Sequence, residues 1–359
     1  MIDEKILKTE ERAVFALRQL YRRHGYLPYK MSKFEEFEYY IRNKDFLISD
    51  RFITFNDCGG KLLALKPDVT LSIVKSREAA PGCKEKVYYN ENIYRVSGST
   101  NQFREIMQTG LECIGDIDLY DIYEAVSLAA QSLALISPDF ILQISHQGLL
   151  SAALDRAGGD AGFRQAAIGY IAEKNAHDLT RLCADSGVDS AVLTGFVSAY
   201  GQRGRVLAKL EALCPGPALE ELKALSALLD GSPWSEKIIF DFSVVGNMNY
   251  YNGIVFKGYL SGISDALLSG GRYDKLLEKL GRTGGAIGFA LYLDLLEQLP
   301  GERRGYDVDV LLLYDEPELV PGVVEALLAE GKTVTAQRNV PPKLRCRQVL
   351  DLRKEAEEC

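Results

Sequence analysis

The stretch REIMQTGLECIG (104–115) places Gln108, Gly110 and Glu112 at alternate positions. In an extended strand these three share one face, so Gln108 and Glu112 stand about 13 Å apart with a glycine between them. A mid-strand glycine admits a close approach to the backbone. Two polar groups across a bare floor suit a small ligand that is polar at both ends. The competing reading is an exposed strand face whose polar side chains are solvated, and on spacing alone that reading is the stronger.

Other groups could complete such a site. Arg95 lies on the preceding strand-like segment, and Asp68 and Thr70 follow a proline in LKPDVT (65–70). An Asp after a Pro is commonly a turn or a helix cap. Tyr250 and Tyr251 adjoin within NYYNG (249–253). Buried tyrosine hydroxyls seek partners, so they line a site or fill a core. In a regular strand only one of the two would face a given pocket. The glycines of SGGRYD (269–274) lack the spacing of a phosphate-binding loop or a dinucleotide fingerprint and suit close packing or a tight turn.

Several chemistries are disfavoured. The seven cysteines are scattered without a Cys-x-x-Cys pair, and there are three histidines. Reduced thiols and no metal site are the expectation. The net charge of −8 weighs against nucleic acid, whose phosphates call for Lys and Arg. No apolar run is long enough for a membrane span, and the charged N-terminus lacks a signal-peptide pattern, so the expected location is cytoplasmic.

The elements that must position these groups are readable in outline. Residues 4–24 form an amphipathic helix pattern with Ile6, Ala13, Val14, Leu17 and Leu20 on one face and Gly25 as its stop. FITFND (52–57) and KLLAL (61–65) flank Cys58-Gly59-Gly60 as a hairpin. KVYYNENIYRV (86–96) and 104–115 form a second strand pair, a helix follows Asp118, and FILQIS (140–145) is a strand. Residues from about 147 to 235 turn Ala- and Leu-rich and read as a helical insertion, broken at Gly158-Gly159 and near Pro215-Gly216-Pro217. Strand character returns at 237–246, 250–260 and 284–291, and 292–299 reads as a short helix. Hairpins with short links predict an α+β fold built on a mainly antiparallel sheet. Residues 303–359 form a short α/β region, beginning with the strand DVDVLLLY (307–314) and a helix over 317–330.

Taken in order, these segments resemble histidyl-tRNA synthetase, a class II aminoacyl-tRNA synthetase, over residues 1–300. LKPDVT resembles the family's Leu-Arg-Pro-Glu-Gly-Thr segment, and 93–115 resembles motif 2, the hairpin that holds ATP. NMNYYNGIVF (247–256) and LLSGGRYDKLLEKLG (267–281) resemble the two histidine motifs, and GGAIGFALYLDLL (284–296) resembles motif 3. The resemblance implies a six-stranded antiparallel sheet flanked by helices. It implies that Asp68, Thr70 and Gln108 hold a histidine α-amino group, and that Glu112 with Tyr250 or Tyr251 reads its imidazole. The ATP apparatus departs from the family pattern. Gly246 stands for the catalytic Arg, Ser97 and Gly98 for the motif 2 Glu and its following Arg, and Leu295 for the motif 3 Arg. Ser32 stands for the motif 1 proline. Losing one charge-stabilising donor typically costs about 10²–10³ in rate. With Gly246 in place of an Arg, Arg95 is the candidate partner for the ligand carboxylate.

A kept histidine pocket without the ATP grip resembles the synthetase paralogues that regulate short-form ATP phosphoribosyltransferase. That resemblance implies a non-catalytic subunit without cofactors, dimeric within a hetero-octamer. Such a subunit activates the catalytic subunit and makes it sensitive to L-histidine. The C-terminal region then resembles a truncated anticodon-binding domain. The alternatives are a working histidyl-tRNA synthetase, a synthetase-like enzyme aminoacylating another acceptor, and a histidine-binding module for a different partner.

Overall fold

The computed structural model describes residues 7–47, 51–96, 102–299 and 305–353. The chain divides into two units, Met1–Leu299 and Pro300–Cys359.

The first unit opens with helix α1 (Thr9–Arg23). Ala13, Val14, Leu17 and Tyr21 are its buried stripe, and Gly25, at φ +81°, ends it in a conformation that favours glycine. Leu20 packs at the margin of this core, and Ile6 lies outside the described residues. Strand β1 (Leu27–Pro28) is followed by β2 (Phe34–Glu36), helix α2 (Phe37–Arg42), β3 (Thr54–Asn56) and β4 (Leu62–Leu65). Strands β2, β4 and β3 form a small antiparallel sheet, with Thr54 opposite Ala64 across the expected hairpin. Helix α3 (Thr70–Ser76) leads to the long hairpin of β5 (Lys84–Val96) and β6 (Phe103–Gly115).

Helix α4 (Leu119–Ile136) is capped by Asp118, whose carboxylate accepts the Tyr120 and Asp121 amides. It buries Ile122, Val126, Ala130 and Leu133. Strand β7 (Phe140–His146) precedes the six insertion helices: α5 (Gln147–Ala157), α6 (Ala161–Ala172), α7 (Ala176–Asp185), α8 (Ala191–Val197), α9 (Arg203–Leu213) and α10 (Pro217–Asp230). Gly158 and Gly159, both at positive φ, separate α5 from α6, and Pro217 occupies the first turn of α10. The short β8 (Tyr200–Gly201) lies among these helices. Strands β9 (Ile238–Asp241), β10 (Ile254–Leu260) and β11 (Leu268–Arg272), helix α11 (Asp274–Lys279) and strand β12 (Gly285–Tyr292) complete the unit.

Among the described residues the large sheet has nine strands, ordered β1-β5-β6-β12-β11-β10-β7-β9-β8. Its six central strands, β5 to β7 in that order, are antiparallel at every junction. The sheet exceeds six because short strands add at both edges, β1 and β9 running parallel to their neighbours. Alternation sorts the two faces. On β6, Leu111 and Cys113 enter the core shared with α1 and α4, while Gln108 and Glu112 face the other way.

Two segments differ from the periodicity reading. The strand expected over 237–246 stops at Asp241, because Asp241 accepts the Ser243 amide and hydroxyl and turns the chain. The strand expected over 250–260 begins only at Ile254, because the Asn247 carbonyl accepts the amides of Tyr250 and Tyr251.

In the second unit, β13 (Val308–Leu313), helix α12 (Val320–Ala329), β14 (Val334–Gln337) and β15 (Cys346–Asp351) form a parallel sheet ordered β14-β13-β15. Among the described residues no helix is long and apolar enough to cross a membrane. No described His, Cys, Asp and Glu side chains cluster as a metal-ligand group.

Candidate functional site

The polar face of the large sheet opens into a cavity of about 370 Å³, within the usual range for small-ligand sites. Asp68, Thr70, Arg95, Gln108, Glu112, Tyr250 and Tyr251 all line it. The structure therefore brings together every residue that the sequence singles out as a ligand contact.

Strand β6 supplies the two ends. Gln108 is 3 % and Glu112 2 % exposed. The floor between them is not bare. Register sets Tyr89 opposite Gly110, and a Cβ at Gly110 would overlap the Phe289 carbonyl and lie 2.6 Å from the Tyr89 hydroxyl oxygen. The glycine thus makes room for a neighbouring phenol, which becomes part of the cavity wall.

Glu112 is held from two sides. Thr70 Oγ1 donates to Oε1 at 2.6 Å, and the Tyr273 hydroxyl donates to Oε2 at 2.5 Å. Burial pushes its carboxyl up to about 8, and the two hydroxyls only partly offset that. Near pH 7 this end of the pocket is a neutral acid close to its titration point. Opposite Glu112 on β12 stands Gly288, where any Cβ would overlap Oε2 and the Leu111 carbonyl.

Asp68 fills both of the roles open to it. It lines the cavity, and its Oδ1 accepts the Leu71 amide at 2.8 Å at the start of α3. Burial raises its carboxyl above the ordinary range, opposed by that amide and by the charge of Arg95. The Arg95 Nε donates to the Pro67 carbonyl at 3.0 Å, so this guanidinium braces the loop that presents Asp68.

Both tyrosines of the pair reach the pocket. Strand alternation does not apply to them because Tyr250 lies in a turn and β10 has not begun. Tyr250 sits against Tyr251 in an edge-to-face contact at 4.6 Å and stacks on Tyr273 at 5.3 Å, measured between ring centroids. The turn is anchored where β11 passes into α11. Asn252 donates to Asp274 Oδ2 at 3.0 Å and accepts the Asp274 amide at 3.0 Å, while Arg272 Nε donates to the same Oδ2 at 2.8 Å.

Sequence reasoning missed Tyr89, Tyr273, Ser269 and Lys257, all of which line the cavity. Tyr273 had a signal: it lies in the segment resembling the second histidine motif, where the glycines drew attention to packing alone. Those glycines do serve packing, since a Cβ at Gly271 would lie 2.6 Å from the Ile254 carbonyl.

The positions where the family holds ATP look different. Gly246 lines the cavity, and a Cβ there would come within 2.6 Å of the Tyr251 ring. The ring occupies the space that a longer side chain at 246 would need. Leu295 packs against the hydrophobic core, and Ser32 accepts the Phe34 amide. Ser97 and Gly98 lie outside the described residues.

This sheet, with its pocket on one face and helices α1 and α4 on the other, defines a class II aminoacyl-tRNA synthetase-like core. A family model described as histidyl-tRNA synthetase matches residues 2–296. A relative named ATP phosphoribosyltransferase regulatory subunit, from Halalkalibacterium halodurans, is 30% identical over 80% of this chain and 77% of its own. A solved structure described as an ATP phosphoribosyltransferase regulatory subunit/histidyl-tRNA synthetase, from Bacillus halodurans, has 25% identity and a TM-score of 0.76, covering 97% of this chain and 95% of that one. A chain of the ATP phosphoribosyl transferase (HisG:HisZ) complex from Thermotoga maritima shares the fold, with 20% identity and a TM-score of 0.64 over 79% of this chain and 97% of that one. The chain belongs to the histidyl-tRNA synthetase family, within its branch of ATP phosphoribosyltransferase regulatory subunits.

Proposed function

We propose that this chain is a non-catalytic subunit that binds L-histidine in the sheet cavity, joins the catalytic subunit of short-form ATP phosphoribosyltransferase, activates it and confers feedback inhibition by histidine. One observation carries the reading. The cavity is lined by Asp68, Thr70, Gln108, Glu112, Tyr250 and Tyr251, which the resemblance assigns to the amino acid, while a glycine filled over by Tyr251 and a core-packed Leu295 stand where the resemblance expects the catalytic and motif 3 arginines. Asp68 and Gln108 suit an ammonium group. Glu112, with Thr70 and Tyr273 holding its oxygens, suits the ring nitrogens of an imidazole. The family resemblance supplies the assembly: a homodimer of this chain within a hetero-octamer, with residues 303–359 as the counterpart of the anticodon-binding domain. Feedback follows if histidine binds one state of the assembly more tightly than the other.

Reconstitution tests this function. Adding the purified chain to the catalytic subunit is expected to raise phosphoribosyl transfer, and histidine is expected to lower it only when this chain is present. Absence of a complex, or equal inhibition of the catalytic subunit alone, counts against the reading.

The pocket also sets a pH dependence. Between about 6.5, the ordinary imidazole value, and about 8 for Glu112, the free acid brings one proton and the free ring none. The complex shares that proton, so affinity is flat. Below this window the ring is already protonated, and binding must expel a proton. Above it Glu112 has lost its proton, and the complex must recover one. Affinity is expected to fall on both sides, by up to about tenfold per pH unit. Calorimetry from pH 5.5 to 9.5 measures this, and a Glu112→Gln variant should lose the fall that begins near 8, keeping only the later fall set by the ligand's own α-amino group. A flat profile would remove Glu112 from ring recognition.

A further inference from the structure

Lys257 lies on β10 in register with Ser269, which pairs with Ala290, which pairs with Gly110. Residues paired across a sheet share a face, so Lys257 belongs to the row that crosses the middle of the pocket floor. It lines the cavity and is half-buried. Three strand spacings of about 4.8 Å separate its backbone from that of Gly110, which puts it on the wall away from Gln108 and Glu112.

Its charge is uncommitted. Among the described residues the Lys257 ammonium forms no hydrogen bond or ion pair, whereas the other cavity-lining cation, Arg95, is bound to the Pro67 carbonyl and faces Asp68. The cavity also holds two carboxyl groups, Asp68 and Glu112. An amino acid entering it brings a carboxylate, which needs a cation to offset its desolvation. Gly246, on the same cavity, supplies none.

We propose that Lys257 binds the α-carboxylate of the amino-acid ligand and makes the pocket selective for the free amino acid over amines that lack that group. Asp68 and Gln108, Glu112, and Lys257 then form three separate points of recognition, for the ammonium, the ring and the carboxylate. This assignment deepens the histidine reading and rests on it.

The test compares L-histidine with histamine, which keeps the ring and the ammonium but has no carboxylate, by calorimetric titration of the full chain. Wild type is expected to prefer histidine. Lys257→Met keeps the apolar stem and removes the charge. It is expected to weaken histidine binding roughly 10- to 100-fold, the range of a lost charge-assisted contact, and to leave histamine binding unchanged, so the preference collapses. An unchanged thermal melt shows that the variant is folded. If Lys257→Met keeps the wild-type preference, Lys257 is not the carboxylate anchor. If the preference is instead lost in Arg95→Met, Arg95 holds that role and the proposal is overturned. If wild type binds neither compound, the histidine reading itself fails, and this assignment with it.

Discussion

Replacing Glu112 with alanine is expected to abolish measurable histidine binding while the protein stays folded. The carboxyl is buried, has no cationic partner among the described residues, and is the group at its end of the cavity best suited to exchange a proton with a ring nitrogen. Truncating one member of a buried, charge-assisted pair typically costs about 2–5 kcal/mol, or roughly thirtyfold to several-thousandfold in Kd. Stability should respond far less. Among the described residues two hydroxyls, Thr70 and Tyr273, lose their acceptor, and both border a cavity that water can enter. Titration with histidine beside a thermal melt separates the two effects. Wild-type affinity in Glu112→Ala would place the sensed histidine elsewhere, such as a subunit interface.

The second large effect is expected at Gly288, a residue with no side chain of its own to contribute. It pairs with Glu112 across β6 and β12, in the middle of the sheet. A methyl group there would overlap both Oε2 of Glu112 and the Leu111 carbonyl. Either the strands part or the carboxyl swings away from Thr70 and Tyr273. Overpacking of this kind costs about 1–3 kcal/mol of stability, and either outcome removes the ring-reading geometry. Gly288→Ala is therefore expected to lose histidine binding together with some thermal stability. Gly258→Ala is the control. A methyl there would meet Leu133 of α4, on the opposite face of the same sheet, so it should cost stability without changing the affinity of the folded protein. Equal binding losses in both variants would show that the sheet as a whole, not the Glu112 position, was disturbed.

The shared face of Gln108 and Glu112 was legible from the sequence because strand alternation fixes faces, whereas spacing alone favoured a solvated face and the pocket reading came from the family resemblance. Gln108 and Glu112 had to lie on one side of β6 once that segment was extended. What lay over Gly110 was not legible, because it depends on which residue of β5 falls opposite, and that is set by the hairpin register. The tyrosine pair shows another limit. Period-2 reasoning places Tyr250 and Tyr251 on opposite faces, but an Asn247 carbonyl accepting two successive amides makes a turn, and periodicity does not report turns. Lys257 escaped notice because a lysine in a strand is ordinarily solvated. Only the cross-strand row from Gly110 to Lys257 shows that this one faces the cavity. The edge strands β1, β8 and β9 are two to four residues long, too short to carry a pattern of their own.

The helical insertion was easier to read, since its interruptions are local chemistry. Gly158 and Gly159 adopt positive φ, and Pro217 starts a helix where its missing amide costs nothing. The losses at the ATP positions were also visible as residue types. The structure adds that at Gly246 the loss is structural as well as chemical, because Tyr251 has taken the space.

The proposed histidine pocket without an ATP grip is tested most directly by calorimetric titration of the purified chain with L-histidine, followed by ATP in the presence of histidine. Saturable histidine binding with no heat from ATP is the expected result. Tight ATP binding that strengthens with histidine, accompanied by histidine-dependent exchange of pyrophosphate into ATP, would contradict it and would mean that the chain forms an aminoacyl adenylate.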